Sequence, residues 1–347
     1  MKSFKLESPN DLKAHLLCTF DLYMPAESSN SDVKWSEIDK DNSIDYDPSL
    51  SSTATSCKSF FFPEREDIFK FDGKKFVSTE SDGNKQVIFG IHACDLTAIA
   101  YQDKFFAEDT YYQARRRNTL LIGIDCLTQC NQGFCHQVDS GPFVRPSTAD
   151  LILQPLNNDQ TSWRLLVVSE YGFKAIQGMK LVSEELGSKK QDGDEFSRQK
   201  SQAEVVSHFQ HFPYLNDGIN KINNRQVSQD QWETLAKQCV TCSGCTQVCP
   251  TCSCYTTRDI REAEGPNVTR ERIWDSCLYE GFQKEASGHN PTSLPGQRLE
   301  RFWYHKFSDD FVSKFDRYGC VGCGRCEQVC PGVIGVHSIM KRLSDHE

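Results

Sequence analysis

Cys239, Cys242, Cys245 and Cys249 are followed by Pro250, and Cys320, Cys323, Cys326 and Cys330 are followed by Pro331. Both runs read C-x2-C-x2-C-x3-C-P, the spacing with which bacterial ferredoxins bind [4Fe–4S] clusters. Three cysteines at intervals of three wrap one loop around three corners of a cubane. The fourth, beside proline, lies too far round the turn and ligates the other cluster. The expected assignment is therefore crossed: Cys239, Cys242, Cys245 and Cys330 hold one cluster, and Cys320, Cys323, Cys326 and Cys249 hold the second. Gly244, Gly322 and Gly324 suit loops that need φ > 0 and bare amides able to donate to sulfur. Two clusters in one module imply a path for electrons.

Two other uses of cysteine fit less well. Structural zinc commonly takes well-separated C-x2-C pairs, without a third and fourth cysteine so close by. Disulfides need an oxidising compartment, and the N-terminus MKSFKLESPNDLK has neither an apolar signal segment nor an arginine-rich amphipathic pattern. The chain has 17 cysteines, so the two runs leave others to explain. Cys94, Cys126, Cys130 and Cys135 form a scattered group, with Gly133 providing a tight turn. Their spacing alone leaves a third cluster and buried free thiols both open. Cys252, Cys254 and Cys277 read as spare thiols packed near the clusters, and Cys18 and Cys57 as incidental. His92 and His136 neighbour the N-terminal cysteines, but a lone histidine is more often structural.

The elements that must position these residues follow from patterning. Asp11–Phe20 reads as a helix with Leu12, Leu16 and Leu17 on one face. Residues 28–57, rich in Ser, Asp and Asn, read as a polar excursion or loop. Lys58–Phe62 and Ile68–Phe71 read as extended segments. Val87–Ile91 and Thr119–Ile124 read as buried strands, with a helix over Leu96–Phe106 between them. Leu151–Leu153 and Leu165–Val168 suggest a hairpin. Functional loops of α/β sheets lie beyond the carboxyl ends of strands. Cys94 and Cys126 both occupy such ends and are expected near one another. Tyr111-Tyr112 with Arg115-Arg116-Arg117 reads as a solvated helix end. Residues 183–235 read as a polar linker ending in a helix, Gln229–Lys237. Helical patterns and arginines (Arg258, Arg261, Arg270, Arg272, Arg298, Arg301) are expected to fill the gap between the cluster runs. The predicted class is α+β, with an N-terminal α/β domain over 1–215 and a helix-rich, ferredoxin-like dicluster domain over 216–347.

Net charge is −9 over 347 residues, which argues against nucleic acid or an anionic membrane as the main partner. No apolar run approaches the ~18 residues that span a bilayer, so a cytoplasmic protein is expected. No G-x-G-x-x-G follows a strand, no G-x-x-x-x-G-K-[ST] occurs, and no C-x-x-C-H marks attached haem. The chain is equipped to carry electrons and shows no place to convert a substrate.

The stretches CVTCSGCTQVCPTCSCY, RIWDSC, RLERFWYHKF and CVGCGRCEQVCPG resemble the family of iron–sulfur subunits of anaerobic sulfite reductase. That family also includes the beta subunits of cytosolic sulfhydrogenases, which are [NiFe] hydrogenases. FFFPEREDIFKF, FGIHACD, YYQARRRNTLLIGIDC and GFCHQVDSGP extend the likeness through the N-terminal half from about residue 58. The resemblance implies an electron relay between an NAD(P)H-oxidising flavoprotein subunit and a catalytic subunit, a sirohaem sulfite reductase or a [NiFe] hydrogenase. It implies no substrate-converting site in this chain. It also tips Cys94, Cys126, Cys130 and Cys135 towards a third [4Fe–4S] cluster, with Cys130 the loosest fit. Sulfite reductase is the preferred terminal reaction and hydrogenase the second. A heterodisulfide-reductase-linked flavin oxidoreductase is a weaker reading. A non-catalytic redox sensor is a rival that needs only one labile cluster.

Overall fold

The computed structural model describes every residue except 40–43, 51, 80–83, 158, 184–201, 264 and 346–347. Its larger sheet has eight strands. These are β1 (Lys2–Leu6), β2 (Asp21–Glu27), β3 (Val33–Ile38), β6 (Gln86–His92), β7 (Thr119–Ile124), β8 (Leu151–Pro155), β9 (Trp163–Val167) and β10 (Val182–Ser183), in the order β10-β1-β9-β8-β7-β6-β2-β3. The central pairs β2–β6, β6–β7 and β7–β8 are parallel, and the flanking pairs are antiparallel. β7 reads TLLIGI and is buried at every position, as a parallel strand covered on both faces must be. One face of the sheet packs with α1 (Pro9–Leu16), through Leu12 and Leu16. The other takes α2 (Ala93–Phe105), α3 (Thr110–Arg117) and the aromatic segment around Phe61 and Phe62.

The carboxyl ends of β6 and β7 carry the first cysteines. Two residues before His92, Gly90 adopts φ +73 and the register with β7 slips between Phe89 and Ile91. A Cβ there would run into the Tyr46 ring, with its nearest atom 2.5 Å away. Such a bulge bends a strand and re-aims the residues beyond it. Here those residues include Cys94, already in the first turn of α2. The helix thus begins three residues before the Leu96 start read from the sequence.

A second, four-stranded antiparallel sheet runs β11-β12-β4-β5. β4 (Arg65–Phe71) and β5 (Phe76–Ser78) come from the N-terminal half; β11 (Tyr255–Arg261) and β12 (Val268–Trp274) come from between the cluster runs. The front of that gap is therefore a hairpin rather than helices. Arg258, Arg261, Arg270 and Arg272 lie on its strands, where Arg270 pairs Asp259 and Arg258 pairs Glu271 across the ladder. The helical reading holds for the rear of the gap, where Arg298 and Arg301 sit on α8 (Pro295–Phe307).

Further helices include α4 (Glu170–Ala175), α5 (Pro213–Asn223), α6 (Gln229–Ala236), α7 (Gly244–Val248), α9 (Arg325–Val329) and α10 (Val336–Asp345). α10 buries Val336, Ile339, Met340 and Leu343, a single stripe at i, i+3, i+4, i+7. It packs on α5, whose Leu215, Ile219 and Ile222 are buried. α6 packs on α8 through Trp232 and Leu235. Residues 213–223, read as linker, thus form part of the helical core, and the helix expected at Gln229–Lys237 is present as α6; 184–201 lie outside the described residues.

Three further expectations change. Lys58–Phe62 is not extended, because Cys57–Phe60 forms a 3-10 turn. The polar excursion over 28–57 contains β3, which pairs β2 at the sheet edge. Arg115 and Arg116 do not cap a solvated helix end: Arg115 pairs Glu66 at 2.7 Å and Arg116 pairs Asp103 at 3.2 Å. Among the described residues, no helix is long and apolar enough to cross a membrane.

Candidate iron–sulfur sites

The two C-x2-C-x2-C loops share one backbone course. In the second, Gly322 and Gly324 take φ +65 and +74; at the corresponding places in the first, Thr241 and Ser243 take φ 51 and 56. The third glycine singled out, Gly244, is not in this conformation and starts α7 instead. Each loop then enters a short helix, α7 or α9, that carries its third cysteine, and the fourth lies at the helix C-cap. Amides turn towards sulfur as such loops require: Gly322 N–H donates to Cys320 Sγ and Ile334 N–H to Cys330 Sγ, both at 3.4 Å.

The different residues at matching positions have a packing reason. A Cβ on Gly324 would lie 2.3 Å from Gln132 O, and one on Gly322 would lie 2.7 Å from Cys135 N. The N-terminal cysteine segment therefore lies directly on the second loop, and Phe134 N–H donates to Gly322 O at 2.7 Å. Thr241 in the first loop is exposed, with room for a side chain.

Cys239, Cys242, Cys245 and Cys330 line one cavity that is open to solvent on one side. Its other walls include Leu278, Leu299, Phe302, Trp303 and Ile334, with no carboxylate. Soft thiolates beside apolar walls form the donor set that suits an iron–sulfur cluster. Burial pushes the Cys245 thiol up to about 12, with the neighbouring thiols Cys239, Cys249 and Cys330 adding to the rise. Cys249 stands between the loops. It lies within electrostatic reach of Cys320, Cys323 and Cys326 and also of Cys245.

Cys94, Cys126, Cys130 and Cys135 line a second cavity, with Cys323 and Gly322 on its wall. Cys94 also packs with Val321, Cys135 and Cys323. The strand ends of β6 and β7 thus converge as expected. Burial raises Cys94 and Cys126 well above the ordinary thiol value, and Cys135 to about 12. Among the described residues, no three His, Cys, Asp or Glu side chains converge closely enough to hold a single metal ion.

Sequence reasoning passed over the residues that knit the sites together. Arg325, beside Cys326, makes two 2.6 Å hydrogen bonds to both oxygens of Asp95, beside Cys94, and also donates to Thr53 O at 2.7 Å. Both members of the pair are buried. Lys58 and Lys306, each in a segment quoted for the family likeness or bordering one, are buried beside Cys252 and Cys249 respectively. Cys252 and Cys277 are buried and Cys254 is half-buried against the helical core.

Residues 238–334 match the family model of a 4Fe-4S dicluster domain, which implies two [4Fe–4S] clusters. The chain is 30% identical to sulfhydrogenase 2 subunit beta of Pyrococcus furiosus over 316 residues, covering 88% of this chain and 87% of that protein. No solved structure matches.

Proposed function

The chain belongs to the iron–sulfur family of the sulfhydrogenase beta subunits, and on that premise we propose that it is the relay subunit of a soluble hydrogenase complex. It passes electrons between an NAD(P)H-oxidising flavoprotein subunit and a [NiFe] catalytic subunit. The likeness to a sulfhydrogenase beta subunit over most of both chains carries this reading. It reverses the order drawn from the family resemblance in the sequence, which put the sirohaem sulfite reductase first.

Within the relay, Cys239, Cys242, Cys245 and Cys330 hold one cluster and Cys320, Cys323, Cys326 and Cys249 the next. Cys94, Cys126, Cys130 and Cys135 hold a third. The two cavities lined by the first and last of these sets support the assignment. So does the position of Cys249, near both loops. The set around Cys320 is then central, because Cys249 adjoins Cys245 on one side while Cys323 adjoins Cys94 and Cys135 on the other. Bound clusters supply one-electron redox chemistry. The chain's own residues hold the centres in line, flank them with apolar walls and donate amide hydrogens to sulfur.

Anaerobic purification of the chain with its native partners tests this. Nickel and flavin in the complex are expected, and about twelve irons in this chain when it is purified anaerobically by itself. Sirohaem in place of nickel overturns the hydrogenase assignment, and fewer than about eight irons per chain overturns the relay. Cys249→Ser should damage the cluster on the 320–326 loop. Loss of the 239–245 cluster instead would refute the crossed pairing.

A further inference from the structure

Among the described residues, three of the six buried lysines and arginines are neutralised by a carboxylate. Lys13 reaches Asp45, Arg272 lies between Glu66 and Asp109, and Arg325 is held by Asp95. Lys58 and Lys306, exposed by 4% and 5%, have no carboxylate partner among the described residues. Arg298, the remaining buried arginine, donates to the carbonyls of Thr292 and Ser293 and lies near Cys239. The uncompensated buried cations therefore gather at the cysteine loops.

The contacts of the two lysines are specific. Lys306 Nζ donates to Thr251 Oγ1 at 2.9 Å and to Gly319 O at 3.4 Å. The Thr251 hydroxyl donates to Gly319 O at 2.5 Å and lies 3.3 Å from Cys249 Sγ. The ammonium thus ties the turn after Cys249 to the residue before Cys320, the two segments that jointly bind one cluster under the crossed pairing. Lys58 Nζ donates to the carbonyls of Thr246 and Cys252, each at 3.3 Å, and lies 3.9 Å from the centre of the Trp274 ring. Two carbonyls and a π face are three electron-rich partners for three N–H groups, the environment of a charged ammonium rather than a neutral amine.

A buried ammonium is costly unless an opposite charge compensates it. A [4Fe–4S] cluster with four thiolates carries net negative charge, and that charge grows by one on reduction. We propose that Lys306 and Lys58 are the resident counter-cations of the central cluster, set there to stabilise its reduced form and so raise its reduction potential. The proposal rests on the cluster assignment of the preceding subsection. It adds that this cluster is tuned by two side chains that never touch iron.

The test is a redox titration followed by electron paramagnetic resonance on the anaerobically purified full chain, with iron content measured on each sample. The central signal is identified as the one lost in Cys323→Ala. In Lys306→Met that signal should move to lower potential, with the reduced-to-oxidised ratio at fixed ambient potential falling about tenfold, or about 59 mV for one electron. The signal of the 239–245 cluster should move less, and Lys306→Arg should restore most of the shift. Lys58→Met should shift the same signal in the same direction. Normal iron with an unmoved central signal in both methionine variants overturns the proposal and leaves the cluster assignment standing. Wild-type chain with fewer than about eight irons overturns the assignment itself. If Lys306→Met loses iron that Lys306→Arg retains, the need for charge is supported. If both lose it, Lys58→Met decides by the same criterion.

Discussion

The Arg325–Asp95 pair is the contact whose removal should do most harm to the joint between the two halves of the chain. Both side chains are 2% exposed, and both guanidinium–carboxylate bonds are 2.6 Å long. One partner sits on α2 beside Cys94 and the other opens α9 beside Cys326. Breaking a buried pair by removing one member costs about 3–5 kcal/mol, because the survivor is left charged and unpaired. Asp95→Leu should lie at the upper end, since an arginine cannot shed its proton. Arg325→Met should cost less, because a stranded carboxyl escapes by protonation. With a urea slope of about 3 kcal/mol per molar, the Asp95→Leu midpoint should fall by about 1 M or more. The double variant should recover much of the loss, as apolar replacement of a whole buried pair is often close to neutral. Urea unfolding of all four proteins, followed by circular dichroism and by cluster absorbance, completes the cycle. An Asp95→Leu midpoint within about 0.3 M of wild type, or a double variant worse than Asp95→Leu, would refute the reasoning.

The two loops predict opposite outcomes for substitutions at their left-handed positions. Gly324→Ala should cost about 1–2 kcal/mol in left-handed backbone alone, and more because its Cβ meets Gln132 O; loosened Cys130–Cys135 packing should appear as faster proteolysis of that segment. Thr241→Gly should be neutral or slightly stabilising in thermal melts, since a β-branched residue at φ 51 is relieved and nothing packs over it. On the acid side, burial pushes the Asp109 carboxyl up, but hydrogen bonds from Arg272 and the Tyr112 amide outweigh it and hold it below the usual range. Its folded value lies below the unfolded one of about 3.9. The stabilisation is therefore full above about pH 4 and is lost as pH falls through the folded value. Asp109→Asn should lower stability at neutral pH and flatten the acid limb of a stability–pH curve; an unchanged limb would show that the pair contributes nothing.

How much of this was legible in the sequence varied with the range of the signal. β7 was read to the residue because TLLIGI is apolar on both faces. The start of α2 was missed because His92–Asp95 carries no capping signature, and its position follows from the bulge at Gly90. The β11–β12 hairpin was mistaken for helix because its strands alternate charge with charge, Arg258 against Glu271 and Asp259 against Arg270, with little apolar periodicity to mark them. Residues 213–223 looked like linker because only the partner helix α10 reveals that Leu215, Ile219 and Ile222 form an inward stripe. Lys58 and Lys306 carry no local sign of burial, and only the closed fold covers them.

The paired C-x2-C-x2-C-x3-C-P runs were decisive on their own, because cluster ligation by a loop depends on local spacing and short-range turn geometry. The same spacing already predicts the meeting of Cys330 with Cys239–Cys245. What joins the loops to the rest of the chain is long-range and came only with the tertiary structure: the seating of the Cys126–Cys135 segment on Gly322 and Gly324, and the β4–β12 ladder between the two halves. So did the burial of two lysines without carboxylates. Burial and the charges that compensate it depend on residues distant in the chain, and no local pattern records them.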